Sequence, residues 1–134
     1  MSSFNIIDIC FVYITVDLIL ISSYSDPNQQ EVKVAYGNAN KEVTTASRDD
    51  LYAVRCCSSF DRSGDGWMKK NVSCPWGESD IFGKCFYKVT FDTAKAICEA
   101  DNARLCSESE INSGCTTNSG CGHDHRWVWI SNVV

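Results

Sequence analysis

The sequence predicts a small disulfide-rich α+β domain, with two short helices packed on short antiparallel strands. Three observations carry this reading. Cys56, Cys57, Cys74, Cys85, Cys98, Cys106, Cys115 and Cys121, eight of the nine cysteines, crowd into one stretch of the 134-residue chain. Residues 91–102 and 108–113 carry helix-start signals. The run Trp127-Val128-Trp129-Ile130 reads as a buried strand.

Composition narrows the function class. The length suits one small domain with flanking segments and excludes a multidomain enzyme. Net charge is −5 and charged residues make up 22% of the chain. Nucleic acid needs clustered Lys and Arg to displace its counterions. Here Lys69-Lys70 is the one adjacent basic pair, so no nucleic-acid partner is expected. A hydrophobic content of 44% is enough for a core and argues against whole-chain disorder.

From the N-terminus, residues 1–22 are mostly apolar, then the chain turns polar at Ser22. The outline is that of a secretory signal, with small residues near a cleavage site at 22–25. No Lys or Arg precedes the apolar run, and Asp8 and Asp17 interrupt it. Each acidic group would cost roughly 2.5–3.5 kcal/mol at a bilayer centre, so a transmembrane span is not expected. Residues 23–50 read as a polar linker or poorly ordered extension, with one alternating run at 31–36 that suits a strand. The domain is expected at 51–134.

Within it, residues 51–57 read as a strand and 58–66 as a turn-rich loop closed by Trp67. Residues 70–83 read as irregular, with Pro75 and Gly77. Residues 85–90 alternate and lead into a helix. Thr90 caps that helix, Asp92 suits its first turn, and Ala94, Ile97 and Cys98 mark its apolar face. It should end near Asn102. Residues 103–106 then run extended. Ser107 and Glu110 form a capping box for a second helix, stopped at Gly114. Residues 115–122 read as a small-residue loop tied by disulfides.

The cysteine density predicts a disulfide framework and an oxidising compartment. Eight cysteines allow roughly a hundred pairings, so connectivity stays open. Cys56 and Cys57 either form a vicinal ring or, as strand neighbours, point to opposite faces and take different partners. Zinc would need ligand pairs such as C-x-x-C, which do not occur; Cys121, His123 and His125 form only an isolated C-x-H-x-H.

The segment TFDTAKAICEADNARLCSESEI, followed by the later Trp127–Ile130 strand, resembles the first half of a C-type lectin-like domain. The cysteine pattern from Ala53-Val54-Arg55-Cys56-Cys57 through the later glycine–cysteine runs is also similar to an uncharacterised cysteine-rich module of secreted algal and marine-invertebrate proteins. The resemblance covers about 51–131. It implies a lectin-like fold and extracellular binding. In such a fold the strand at 53–57 would stand in for a central strand. The lectin motifs Glu-Pro-Asn, Gln-Pro-Asp and Trp-Asn-Asp are absent, so no calcium-ligand residue carries over and binding is expected to be calcium-independent.

Asp61, Ser63 and Asp65 match the start of a calcium loop, with oxygens at alternate positions before a glycine. Position twelve is Val72 rather than Glu, so the choice lies between a loose calcium-stabilised turn and a solvated turn. His123, Asp124 and His125 form a polar tip with no nucleophile nearby, so ligand contact is favoured over catalysis. Trp67 and Trp76 fall in loops and could stack on a sugar face, while Trp129 is assigned to the core. Asn71-Val72-Ser73 is a glycosylation sequon. The expected function is extracellular binding or adhesion toward a glycan or protein, with no cofactor and no catalytic residue. A secreted defence protein or inhibitor is the alternative.

Overall fold

The computed structural model describes residues 31–131. The signal-like segment 1–22, Cys10, the 23–30 portion of the linker and residues 132–134 lie outside the described residues. The strands are β1 (Val32–Tyr36), β2 (Val43–Ala46), β3 (Cys56–Ser58), β4 (Trp76–Glu78), β5 (Asp80–Ile81), β6 (Lys84–Cys85), β7 (Arg104–Leu105) and β8 (Trp127–Ile130). Among the described residues two α-helices, α1 (Phe91–Ala100) and α2 (Glu108–Asn112), interrupt them. The strands form three small antiparallel sheets, ordered β2-β1-β8, β4-β3-β7 and β5-β6. The α+β class is therefore as expected.

The helix signals act as local chemistry requires. The Thr90 side chain accepts from the Thr93 amide at the start of α1. Ser107 and Glu110 close a full capping box at α2. Both Glu110 oxygens also accept from Arg104, at 2.8 Å each, which ties β7 to α2. Burial alone would raise the Glu110 pKa, but the Arg104 guanidinium and the Ser107 amide together hold it below the usual range. Helix α1 ends at Ala100, two residues earlier than expected.

The N-terminal boundary needs correction. Residues 31–50, read as linker, supply β1 and β2, and β1 pairs along its length with β8. Along β1, Val32 and Val34 enter one apolar cluster and Ala35 enters another. In β8, Trp129 faces the first cluster and Val128 and Ile130 face the second. The sheet is thus buried on both faces, and period-2 alternation sorts its side chains between two cores. Strand β2 lies at the outer edge with Thr44 and Thr45 exposed, so its composition looks like a linker's. The 70–83 stretch is also more regular than expected, since it holds β4 and β5. The 51–57 strand is shorter, with only isolated bridges at Tyr52 and Ala53 before β3.

Trp129 is fully buried, as assigned. Its indole nitrogen donates to the Val89 carbonyl at 2.8 Å, and Tyr52 and Phe91 meet it edge to face.

All eight clustered cysteines are joined, as Cys56–Cys98, Cys57–Cys106, Cys74–Cys115 and Cys85–Cys121. Neighbours Cys56 and Cys57 point into opposite cores and take different partners. The first four cysteines pair with the last four in the same order, so every bridge overlaps every other. Four disulfides are compatible with an extracellular protein. Among the described residues no helix is long and apolar enough to cross a membrane.

A candidate ligand groove at Arg62

Three segments distant in sequence meet at one end of the fold. They are the loop after β3, the β5–β6 hairpin and the C-terminal end of α1. Arg62 stands at their centre. Its Nε donates to Asp65 at 2.8 Å, and its Nη atoms donate to the Asp101 carbonyl and carboxylate at 2.7 and 3.1 Å. The guanidinium lies 4.1 Å above the Trp67 ring. Partial burial would lower the Arg62 pKa, but the Asp65 and Asp101 carboxylates outweigh it and raise the pKa. Two adjoining concavities of about 420 and 560 Å³ share Arg62, Asp65 and Asp101. Glu78, Asp80 and Phe82 line the first, and Phe60 and Asn102 line the second.

The hairpin turns in two residues, Phe82 and Gly83, both with positive φ, at +56° and +72°. That is the turn form whose twist matches antiparallel strands, and it prefers Asn or Gly. Phe82 occupies it while 63% exposed, and Phe60 across the groove is 76% exposed.

The residues singled out from sequence fall elsewhere or play other parts. Trp67 is only 6% exposed and forms the floor beneath Arg62. Trp76 lies in β4, partly buried against the first core. Trp67 does lie in a loop, but Arg62 covers its ring; Trp76 stands in a strand rather than a loop. Asp61 accepts from the Ser63 amide at 2.8 Å, and the Ser63 hydroxyl and amide hold its carboxyl below the usual range. Asp65 turns away to Arg62. This loop is closed by its own hydrogen bonds in a 3-10 turn at Ser63–Asp65. Asn71 is exposed, with its side-chain oxygen accepting from the Ser73 amide and hydroxyl. Among the described residues, Cys57, Cys106 and Glu110 are the group close enough to hold a metal. Their sulfurs are already bonded together and the carboxylate is held by Arg104.

The His123-Asp124-His125 tip is also corrected. His125 is exposed, but His123 is fully buried and Asp124 is committed to Arg55. The Gly37 backbone presses against this turn. A Cβ there would lie 2.0 Å from the His123 carbonyl oxygen, so only glycine fits. Neither ring nitrogen of His123 has a hydrogen-bond partner, and the ring meets Tyr87 edge to face. Burial, then the Arg55 and Arg126 charges, push its pKa down from 6.5 to about 4; the Phe86 carbonyl and Asp124 pull weakly the other way.

This sets a pH dependence. Above pH 6.5 the residue is neutral both folded and unfolded, and its burial is not opposed by protonation. Between pH 6.5 and 4 the unfolded chain binds the extra proton, so stability falls as pH falls. The loss approaches about 1.4 kcal/mol per unit, on the order of 3 kcal/mol in all. His123→Phe keeps an aromatic ring against Tyr87 and removes the proton. Urea unfolding of the two proteins across this window should show a shallower acid decline in the variant. Equal slopes would mean that His123 titrates normally in the fold.

Sequence reasoning missed Phe60, Arg62, Glu78, Asp80, Phe82 and Asp101. One signal was available: an aromatic directly before a glycine, flanked by short alternating segments, marks an exposed hairpin tip. Comparison with known proteins finds no family model, no curated protein and no solved structure that matches the chain.

Proposed function

We propose that this chain is an extracellular binding module that takes a carbohydrate or protein ligand at the Arg62 groove without calcium. The observation that carries the reading is Phe82. An L-residue in the left-handed region costs roughly 1–2 kcal/mol, and a ring left in water recovers little of that by burial. A ring held there is explained by contact with something outside the chain. Phe60 faces the same groove and adds a second apolar contact. The scaffold supports this role, because disulfides anchor two of the three contributing segments: β3 joins α1 through Cys56–Cys98, and β6 is fixed through Cys85–Cys121. The resemblance to C-type lectin-like domains over residues 90–111 favours recognition over catalysis.

The test compares the native chain with Phe60→Ser/Phe82→Ser on a glycan array and a panel of extracellular proteins, with EDTA present. The native protein should bind, and the double variant should bind at least about tenfold more weakly, as expected when buried aromatic contacts are lost. Its melting temperature should stay close to native, since both rings are exposed. Binding that survives the double change, or that needs calcium, would overturn the reading.

A further inference from the structure

We infer that the occupant of the groove is a cationic protein segment, one presenting Lys or Arg beside apolar side chains. The inference rests on the binding reading above and names its partner class. The charge balance of the groove carries it. Asp65, Glu78, Asp80 and Asp101 contribute four carboxylates against the single guanidinium of Arg62. Asp65 and Asp101 are satisfied by Arg62. Glu78 turns one oxygen to the amides of Ser79 and Asp80, and no cation pairs with it among the described residues. The Asp80 carboxylate, exposed on the hairpin, likewise has no cation partner there. The neighbouring cation on the hairpin, Lys84, is directed over the Phe86 ring at 5.8 Å.

Two carboxylates without a cation partner therefore line the same concavity as Phe82, and Phe60 lines the one adjoining it. Carboxylates beside exposed phenyl rings suit a chain that alternates cationic and apolar side chains. The carboxylates meet the ammonium or guanidinium groups, and the rings cover the aliphatic stems. A ring face also attracts a cation directly, as Trp67 already does with Arg62. A neutral sugar would use the rings and donate its hydroxyl hydrogens to the carboxylates, but it would leave the excess negative charge uncompensated. An acidic or sulfated glycan would be repelled.

The experiment selects a random peptide display library on the immobilised full chain, in EDTA at low salt, and repeats the selection on Glu78→Gln/Asp80→Asn. The native chain should enrich sequences rich in Lys and Arg with interspersed apolar residues. A synthetic peptide of the enriched sequence should bind the double variant at least about tenfold more weakly, as for loss of close interfacial charge pairs. Its affinity should fall at about 0.5 M salt, where the Debye length is only a few ångströms. Near-UV circular dichroism and intact disulfides confirm that the variant is folded. Enrichment without basic bias, or enrichment that the double variant retains, overturns the inference. Neutral-glycan binding abolished by the Phe60/Phe82 changes, with no peptide enriched, sinks the cationic partner and leaves the binding module standing. No ligand of either kind sinks both.

Discussion

Replacing Arg55 by Met should destabilise the domain by roughly 3–5 kcal/mol, the range seen when one member of a buried ion pair is removed. Arg55 has no exposed surface. Its Nε donates to the Ser79 hydroxyl at 3.1 Å, and its Nη atoms donate to the Gly37 carbonyl at 2.8 Å, Thr116 at 3.3 Å and Asp124 at 2.5 Å. Ser79 continues the chain to the Ser119 hydroxyl at 2.7 Å, and the Asn118 amide donates to Asp124. One guanidinium thus fastens the end of β1, the start of β5, the Cys115–Cys121 loop and the His123 turn. Burial lowers its pKa and Asp124 works against that, yet a guanidinium stays charged at any accessible pH. Met fills similar space but withdraws a donor from four acceptors. Ser79 and Asp124 keep their contacts with Ser119 and Asn118, while the Gly37 carbonyl and the Thr116 hydroxyl lose the donor that Arg55 supplied. Arg55→Lys keeps the charge but cannot span the same fork of partners, so most of the loss should persist. Guanidinium chloride unfolding at neutral pH measures both. A loss under about 1 kcal/mol, no more than an exposed ion pair gives, would show that the network is not what joins these segments.

The second large effect concerns sulfur. Cys56→Ser/Cys98→Ser removes a bridge closing 42 residues, between two fully buried side chains. Loop-closure entropy for that length is about 4 kcal/mol for a lone bridge. The other three bridges already restrict the same stretch of unfolded chain, so a loss of about 3 kcal/mol is expected. For a domain of this size that lowers Tm by roughly 12–20 °C. The buried hydroxyls left in the first core would add to the cost. Calorimetry of the doubly substituted protein checks it. A shift of only a degree or two would mean that packing of Trp129, Phe91 and Val54 sustains the fold without this tie.

What could be read from the sequence was governed by neighbours along the chain. The caps at Thr90 and Ser107 depend on residues three positions apart. The two-sided burial of β8 follows from its unbroken apolar run, and the divergence of Cys56 and Cys57 from the pleat of one strand. The Arg55 network could not be read this way. Its partners lie 18, 24, 61 and 69 residues distant, and an arginine between Val54 and Cys56 carries no local sign of full burial. His123 looked like a surface tip because its own segment is polar; the enclosing wall comes from Gly37 and Tyr87. The groove is hidden for the same reason, since its ends come from three separate segments. Strand β2 was missed because an edge strand shows half its residues to water.

The order in which the cysteines pair has a consequence for a chain exposed to proteases. A single backbone cut anywhere between Cys56 and Cys121 falls inside at least one bridged interval, and a cut between Cys85 and Cys98 falls inside all four. A nick at the exposed Val72 or the Phe82 turn would therefore release no fragment. The severed pieces would migrate as one species until a reductant was added.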